Sequence, residues 1–127
     1  MKTLVISTES YVNALKKLIK DKKLSDNHIK MFNFHYHSKD FRTTTRKIGE
    51  HLGYYGNGAN GLIGSFSVMI AEVLQVEPVE KRKADNSPMW FSVIYAGEKP
   101  KDEHFTFEMR PEFVAALEQL ELVQRSV

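Results

Sequence analysis

Three of the short groups of basic side chains in this sequence could hold the phosphates of a nucleic acid. The groups are Arg42, Arg46 and Lys47, then Lys81 and Arg82, and finally Lys99 and Lys101. Residues 1–50 carry 11 Lys+Arg against 5 Asp+Glu, whereas residues 51–127 carry 7 against 11. This uneven charge predicts an acidic partner, although lysines that only solvate a surface helix would give the same imbalance.

A glycine-rich stretch over residues 52–65 could instead suggest a nucleotide cofactor, because Gly56–Gly61 matches G-x-G-x-x-G. That motif binds a pyrophosphate only where it follows a strand of a βαβ unit. Here it follows a predicted helix. Leu62 and Ile63 also stand where a P-loop requires Lys and Ser or Thr. We therefore expect no cofactor.

The histidines and serines do not predict a reaction. His35 and His37 are two residues apart, with no carboxylate at a usual ligand spacing, so we expect ordinary, partly exposed histidines and no metal. Ser65 and Ser67 lack the context of a nucleophile. No acidic residue is spaced for acid–base work, and we expect no enzyme.

The segment from Thr43 to Gln75 is typical of a helix-turn-helix. A threonine caps a short helix, Ile48 and Leu52 face inward, and Gly53 ends it. The second helix carries the strongest apolar periodicity in the chain. Its outer face is small and uncharged, so base contacts would come from Asn57, Asn60 and Ser65.

A β-hairpin and a last helix are predicted after this unit. Residues 89–96 and 104–109 alternate as two strands around a charged turn, and Pro111 opens the helix. The predicted organisation is an N-terminal basic helix (1–24), a helical core (25–76), a loop with the hairpin wing (77–110) and a C-terminal helix (111–122). This predicts an α+β, winged helix-turn-helix-like fold of about five helices and one antiparallel hairpin.

Length and composition fit one globular domain. The chain has 127 residues, 42% of them hydrophobic and 27% charged, and no cysteine. No apolar run is long enough to span a bilayer, and the first residues do not form a signal peptide. We expect a cytoplasmic protein with no membrane partner.

Two segments together resemble an uncharacterised bacterial domain found beside HNH endonuclease domains. One is Thr43–Leu74, with its Thr-x-x-x-Ile-Gly-x-x-Leu-Gly-Tyr pattern, and the other runs from Trp90 through Met109-Arg110-Pro111-Glu112 to Leu117. The resemblance implies a non-catalytic accessory module of restriction or mobile-element proteins that binds DNA. This chain lacks the nuclease and has Gly61-Leu62-Ile63-Gly64 where the family pattern differs.

DNA binding through the backbone is the leading expectation. Arg42, Arg46 and Lys47 would hold phosphates, and the wing lysines Lys99 and Lys101 would steady the duplex. The alternative is a protein-interaction module, such as a phage-type inhibitor of a host nucleic-acid defence complex or a homodimeric adaptor. The uncharged outer face of the second helix favours that alternative.

Overall fold

Five α-helices and three short antiparallel strands form the described part of the chain. The computed structural model describes residues 6–53, 58–78, 89–98 and 106–123. The helices are α1 (Thr8–Lys20), α2 (Asp26–Tyr36), α3 (Thr45–Leu52), α4 (Gly58–Leu74) and α5 (Pro111–Gln119). The strands are β1 (Arg42–Thr43), β2 (Tyr95–Glu98) and β3 (Thr106–Met109). The predicted α+β class, with five helices and an antiparallel hairpin, is therefore confirmed.

Local sequence sets most helix ends. Ser7 caps α1 by accepting a hydrogen bond from the Ser10 amide, and Thr44 caps α3 by accepting one from the Lys47 amide. Ser25 caps α2 in a reciprocal capping box with His28. Gly53 ends α3 with φ 78°, the left-handed conformation that glycine adopts without steric cost. Each of these ends follows from residues within one turn of it.

The sheet has β3 at its centre. The β2–β3 hairpin pairs Tyr95 with Met109, and β1 joins the other side of β3 by pairing Thr43 with Phe107. The resulting order is β1-β3-β2. The two-residue β1 therefore links the chain just before α3 to a strand near the other end of the sequence.

Aromatic side chains from separate elements meet in the core. Phe32 of α2, Phe66 of α4 and Phe113 of α5 make edge-to-face or tilted contacts, with ring centroids 4.9 to 6.3 Å apart. Tyr11 of α1 packs against Phe113 and donates a hydrogen bond to the carbonyl of Val93. This cluster holds α1, α2, α4 and α5 in one hydrophobic core.

The predicted strand over residues 89–96 is wrong in its first half. Trp90–Val93 forms a turn of 3-10 helix, and β2 begins only at Tyr95. The Ser92 hydroxyl and amide both donate hydrogen bonds to the carbonyl of Met89. These local bonds replace the bonds to a neighbouring strand that the predicted strand would have required. This turn packs against α4.

Another correction concerns α1. Ile19 falls at helical spacing with Tyr11, Val12, Leu15 and Leu18, a pattern that predicts a buried position, but it is 44% exposed. The core face is instead completed by Tyr11, Val12, Ala14, Leu15 and Leu18. Among the described residues, no helix is long and apolar enough to cross a membrane.

Candidate nucleic-acid interface

Four of the predicted site residues have described side chains. They are Arg42, Arg46, Lys47 and Ser65. Asn57, Lys81, Arg82, Lys99 and Lys101 lie outside the described residues, and the side chain of Asn60 is likewise outside them. The proposed wing contacts therefore stay predictions.

Arg42 is exposed on β1, directly opposite Glu108 of β3. Its Nε lies 3.6 Å from Glu108 Oε1, and both side chains are more than two-fifths exposed. Exposed pairs of this kind contribute only about 0–1 kcal/mol and are screened by salt. A phosphate could therefore compete with Glu108 for Arg42.

Arg46 and Lys47 are exposed in the first turn of α3. Arg46 Nε lies 3.3 Å from Glu50 Oε1, one turn further along the same helix. Lys47 makes no ion pair with any described residue. Of the three cations predicted to hold phosphates, two have carboxylate partners and Lys47 is the most available.

The outer face of α4 is small and uncharged near its start. Gly61 and Ser65 are exposed there, one turn apart, and the Ser65 hydroxyl donates to the Leu62 carbonyl of its own helix. A Cβ added at Gly61 or at Gly64 would have no atom within 4 Å apart from its own helix backbone. The face is therefore open, but its one described polar side chain is already bonded locally.

Two of the five histidines do not match the prediction of partial exposure. His28 and His35 are 8% and 0% exposed. His35 Nε2 bonds to the Phe107 carbonyl at 2.9 Å, and burial lowers the pKa of His35 to about 4, although the backbone carbonyls of Phe107 and Phe41 oppose the shift. Burial also lowers the pKa of His28. Both are therefore neutral structural residues.

Metal ligation and two buried phenols complete the polar chemistry of the described residues. No group of three or more His, Asp or Glu side chains among them could hold a metal ion. Burial raises the pKa values of Tyr11 and Tyr95, which keeps both phenols protonated in the core. Both phenols are therefore neutral in the folded chain.

An open groove between α2 and α3 was not predicted from the sequence. It encloses about 480 Å³ and is lined by Lys30, Asn33, Phe34, His37, Ser38 and His51. The Phe34 and His51 rings stack on each other in this lining, with centroids 4.6 Å apart and planes 24° apart. Lys30, Phe34 and His37 share one face of α2 by helical spacing, but no local pattern could reveal that His51 joins them from α3.

Comparisons with known proteins do not add a function to this geometry. No protein-family model matches the chain, and neither the curated proteins nor the solved structures compared with it give a match.

Proposed function

We propose that the chain is a non-catalytic winged-helix module that binds DNA mainly through the phosphate backbone. The supporting observation is the order of its elements. A helix, a short strand, two helices and a hairpin follow one another as α2, β1, α3, α4 and β2–β3, and β1 pairs with the second strand of the hairpin. Winged helices share this order, so the support is an analogy of fold.

The distribution of charge favours one kind of contact. In helix-turn-helix proteins the first helix of the pair lies across the backbone and the second enters the major groove. In the segment from β1 to α4, the described cations are Arg42, Arg46 and Lys47, which lie at or just before the first of these helices. The second of these helices is α4, whose described outer face carries Gly61 and Ser65 near its start and Glu72 further along. Backbone binding with little direct reading of bases fits this arrangement best.

The decisive experiment measures duplex affinity against salt concentration. Arg46→Gln combined with Lys47→Gln should lower the affinity and reduce the slope of log affinity against log salt by about 2, because two phosphate contacts are lost. Lys16→Gln combined with Lys20→Gln is the matched control, since it removes the same charge from exposed positions of α1. The proposal would be contradicted if both double variants lowered duplex affinity equally, or if the duplex affinity of the wild type did not change with salt concentration.

A protein-interaction module is the second candidate, and the open face around Gly61, Gly64 and Ser65 favours it. Small, uncharged residues let another backbone approach closely. The partner would be a second copy of the chain or a component of a nucleic-acid-processing complex.

Ser65→Lys separates the two candidates because it shifts them in opposite directions. A cation on the face that meets DNA should raise duplex affinity and steepen its salt dependence. The same side chain on a protein interface should weaken self-association, measured by sedimentation equilibrium. Asn13→Lys, at an exposed position of α1, is the control for added charge.

The biological setting stays a prediction. From the resemblance to a domain beside HNH endonucleases, we expect the module to belong to restriction or mobile-element proteins and to act in the cytoplasm. A phage-type inhibitor of a host defence complex is the corresponding setting for the second candidate.

A further inference from the structure

The α2–α3 groove combines flat rings with positive charge. Phe34 is half-buried and His51 is exposed. Phe34 covers one face of the imidazole, so the solvent exposure of His51 lies at its edge and its other face, where a third flat group can stack. Lys30 and His37 stand on the same face of α2 as Phe34, about 10 Å apart along the helix axis.

The groove is also built to keep its shape. Asn33 Nδ2 donates to the Ile29 carbonyl at 3.0 Å and to the Leu122 carbonyl at 3.1 Å, which ties α2 to the segment after α5. The Ser38 hydroxyl donates to the Phe34 carbonyl at 2.8 Å. These bonds hold in place the part of α2 that carries Phe34, on which His51 stacks.

The residues that line the groove favour an anionic ligand. Among the described residues that line the groove, one is a lysine, two are histidines and none is acidic. A volume of about 480 Å³ lies in the range of roughly 300–1,000 Å³ that is usual for small-molecule sites. An anionic group joined to a flat ring would suit both the Lys30 ammonium and the exposed imidazole of His51.

We propose that this groove binds one nucleotide, with its base stacked on His51 and its phosphate held by Lys30 or His37. The nucleotide could be free or could belong to a single strand, since both present the same base and phosphate. The site lies on α2 and the end of α3, so the inference does not depend on the proposed duplex contacts of Arg46 and Lys47.

The test is a titration followed by amide NMR, with deoxyadenosine 5′-monophosphate and a short single-stranded oligo(dA) as separate probes. Signals of residues 30, 34, 37 and 51 should shift, with a Kd below about 1 mM for at least one probe. Saturation by the mononucleotide assigns a free ligand, and saturation by the oligonucleotide alone assigns a strand. Deoxyadenosine and inorganic phosphate should each bind at least about tenfold more weakly, because each lacks one half of the ligand.

Two variants identify the contacts. His51→Ala should weaken binding about tenfold through the lost stack, and Lys30→Gln should weaken the mononucleotide more than deoxyadenosine. Lys20→Gln on α1 and the Arg46→Gln, Lys47→Gln double variant should leave mononucleotide binding unchanged. The proposal is overturned if neither probe shifts the groove signals. It is also overturned if His51→Ala binds like the wild type, or if phosphate alone binds as tightly as the mononucleotide.

Discussion

His35 should make the stability of the fold depend on pH well above the range in which carboxylates titrate. Its side chain is fully buried, Nε2 bonds to the Phe107 carbonyl, and Nδ1 makes no hydrogen bond to a described residue. Protonation would place a charge in the core, where the carbonyls of Phe107 and Phe41 offset only part of the cost of desolvation. The pKa of His35 is therefore lowered from 6.5 to about 4 in the folded chain.

The sign and size follow from proton linkage. In the unfolded chain His35 binds a proton below about pH 6.5, whereas in the folded chain it binds one only below about pH 4. The free energy of unfolding therefore falls as the pH falls through this window. Between pH 8 and pH 5 the loss comes to about 2 kcal/mol for His35. His28 adds to it in the same direction, because burial lowers its pKa too and its Nδ1 accepts a hydrogen bond from the Ser25 amide.

Urea unfolding at pH steps from about 8 to 5 measures this loss, with fluorescence of the single tryptophan, Trp90, as the probe. His35→Gln keeps a donor for the Phe107 carbonyl but cannot titrate, so only the His28 part of the slope should remain. His37→Gln makes the same change at an exposed position and should keep the full slope. A wild-type stability that is flat over this range, or a full slope in His35→Gln, would refute the reasoning.

Three substitutions test the backbone and the core by thermal unfolding. Gly64→Ala should stabilise the protein by up to about 1 kcal/mol, because a Cβ there meets open space and alanine favours the helix. A loss of stability would show that this space is filled. Gly53→Ala should instead destabilise it by about 1 kcal/mol, because φ is 78°, and a neutral result would contradict that turn. Phe66→Ala should cost about 3–5 kcal/mol because the ring is fully buried against Phe32 and Phe113, and a cost below about 1 kcal/mol would refute that packing.

Features that depend on neighbouring residues were predictable from the sequence. The caps at Thr44 and Ser25, the stop at Gly53 and the start at Pro111 each need only a few adjacent residues, and the structure has all of them. The same holds for the apolar face of α4, since Ile63, Phe66 and Ile70 recur at helical spacing and are buried.

Features that depend on distant partners were not predictable. Arg42–Thr43 is a strand only because β3 lies beside it, and two residues carry no periodicity. His35 lies two residues before an exposed histidine, and its burial depends on residues distant in the sequence, among them Tyr95, whose ring packs on it, and Phe107, whose carbonyl bonds to it. The α2–α3 groove requires the end of α3 to return beside α2, which a single-helix pattern cannot show.

The central position of β3 has a consequence for the order in which the fold can be completed. Both β1 and β2 bond to β3, and α1 packs against α5, which supplies Phe113 to the aromatic cluster. Before residues 106–119 are synthesised, β1 has no partner and the apolar face of α1 lacks part of its cover. The nascent chain must therefore keep these apolar surfaces from aggregating until the last quarter of the sequence is available.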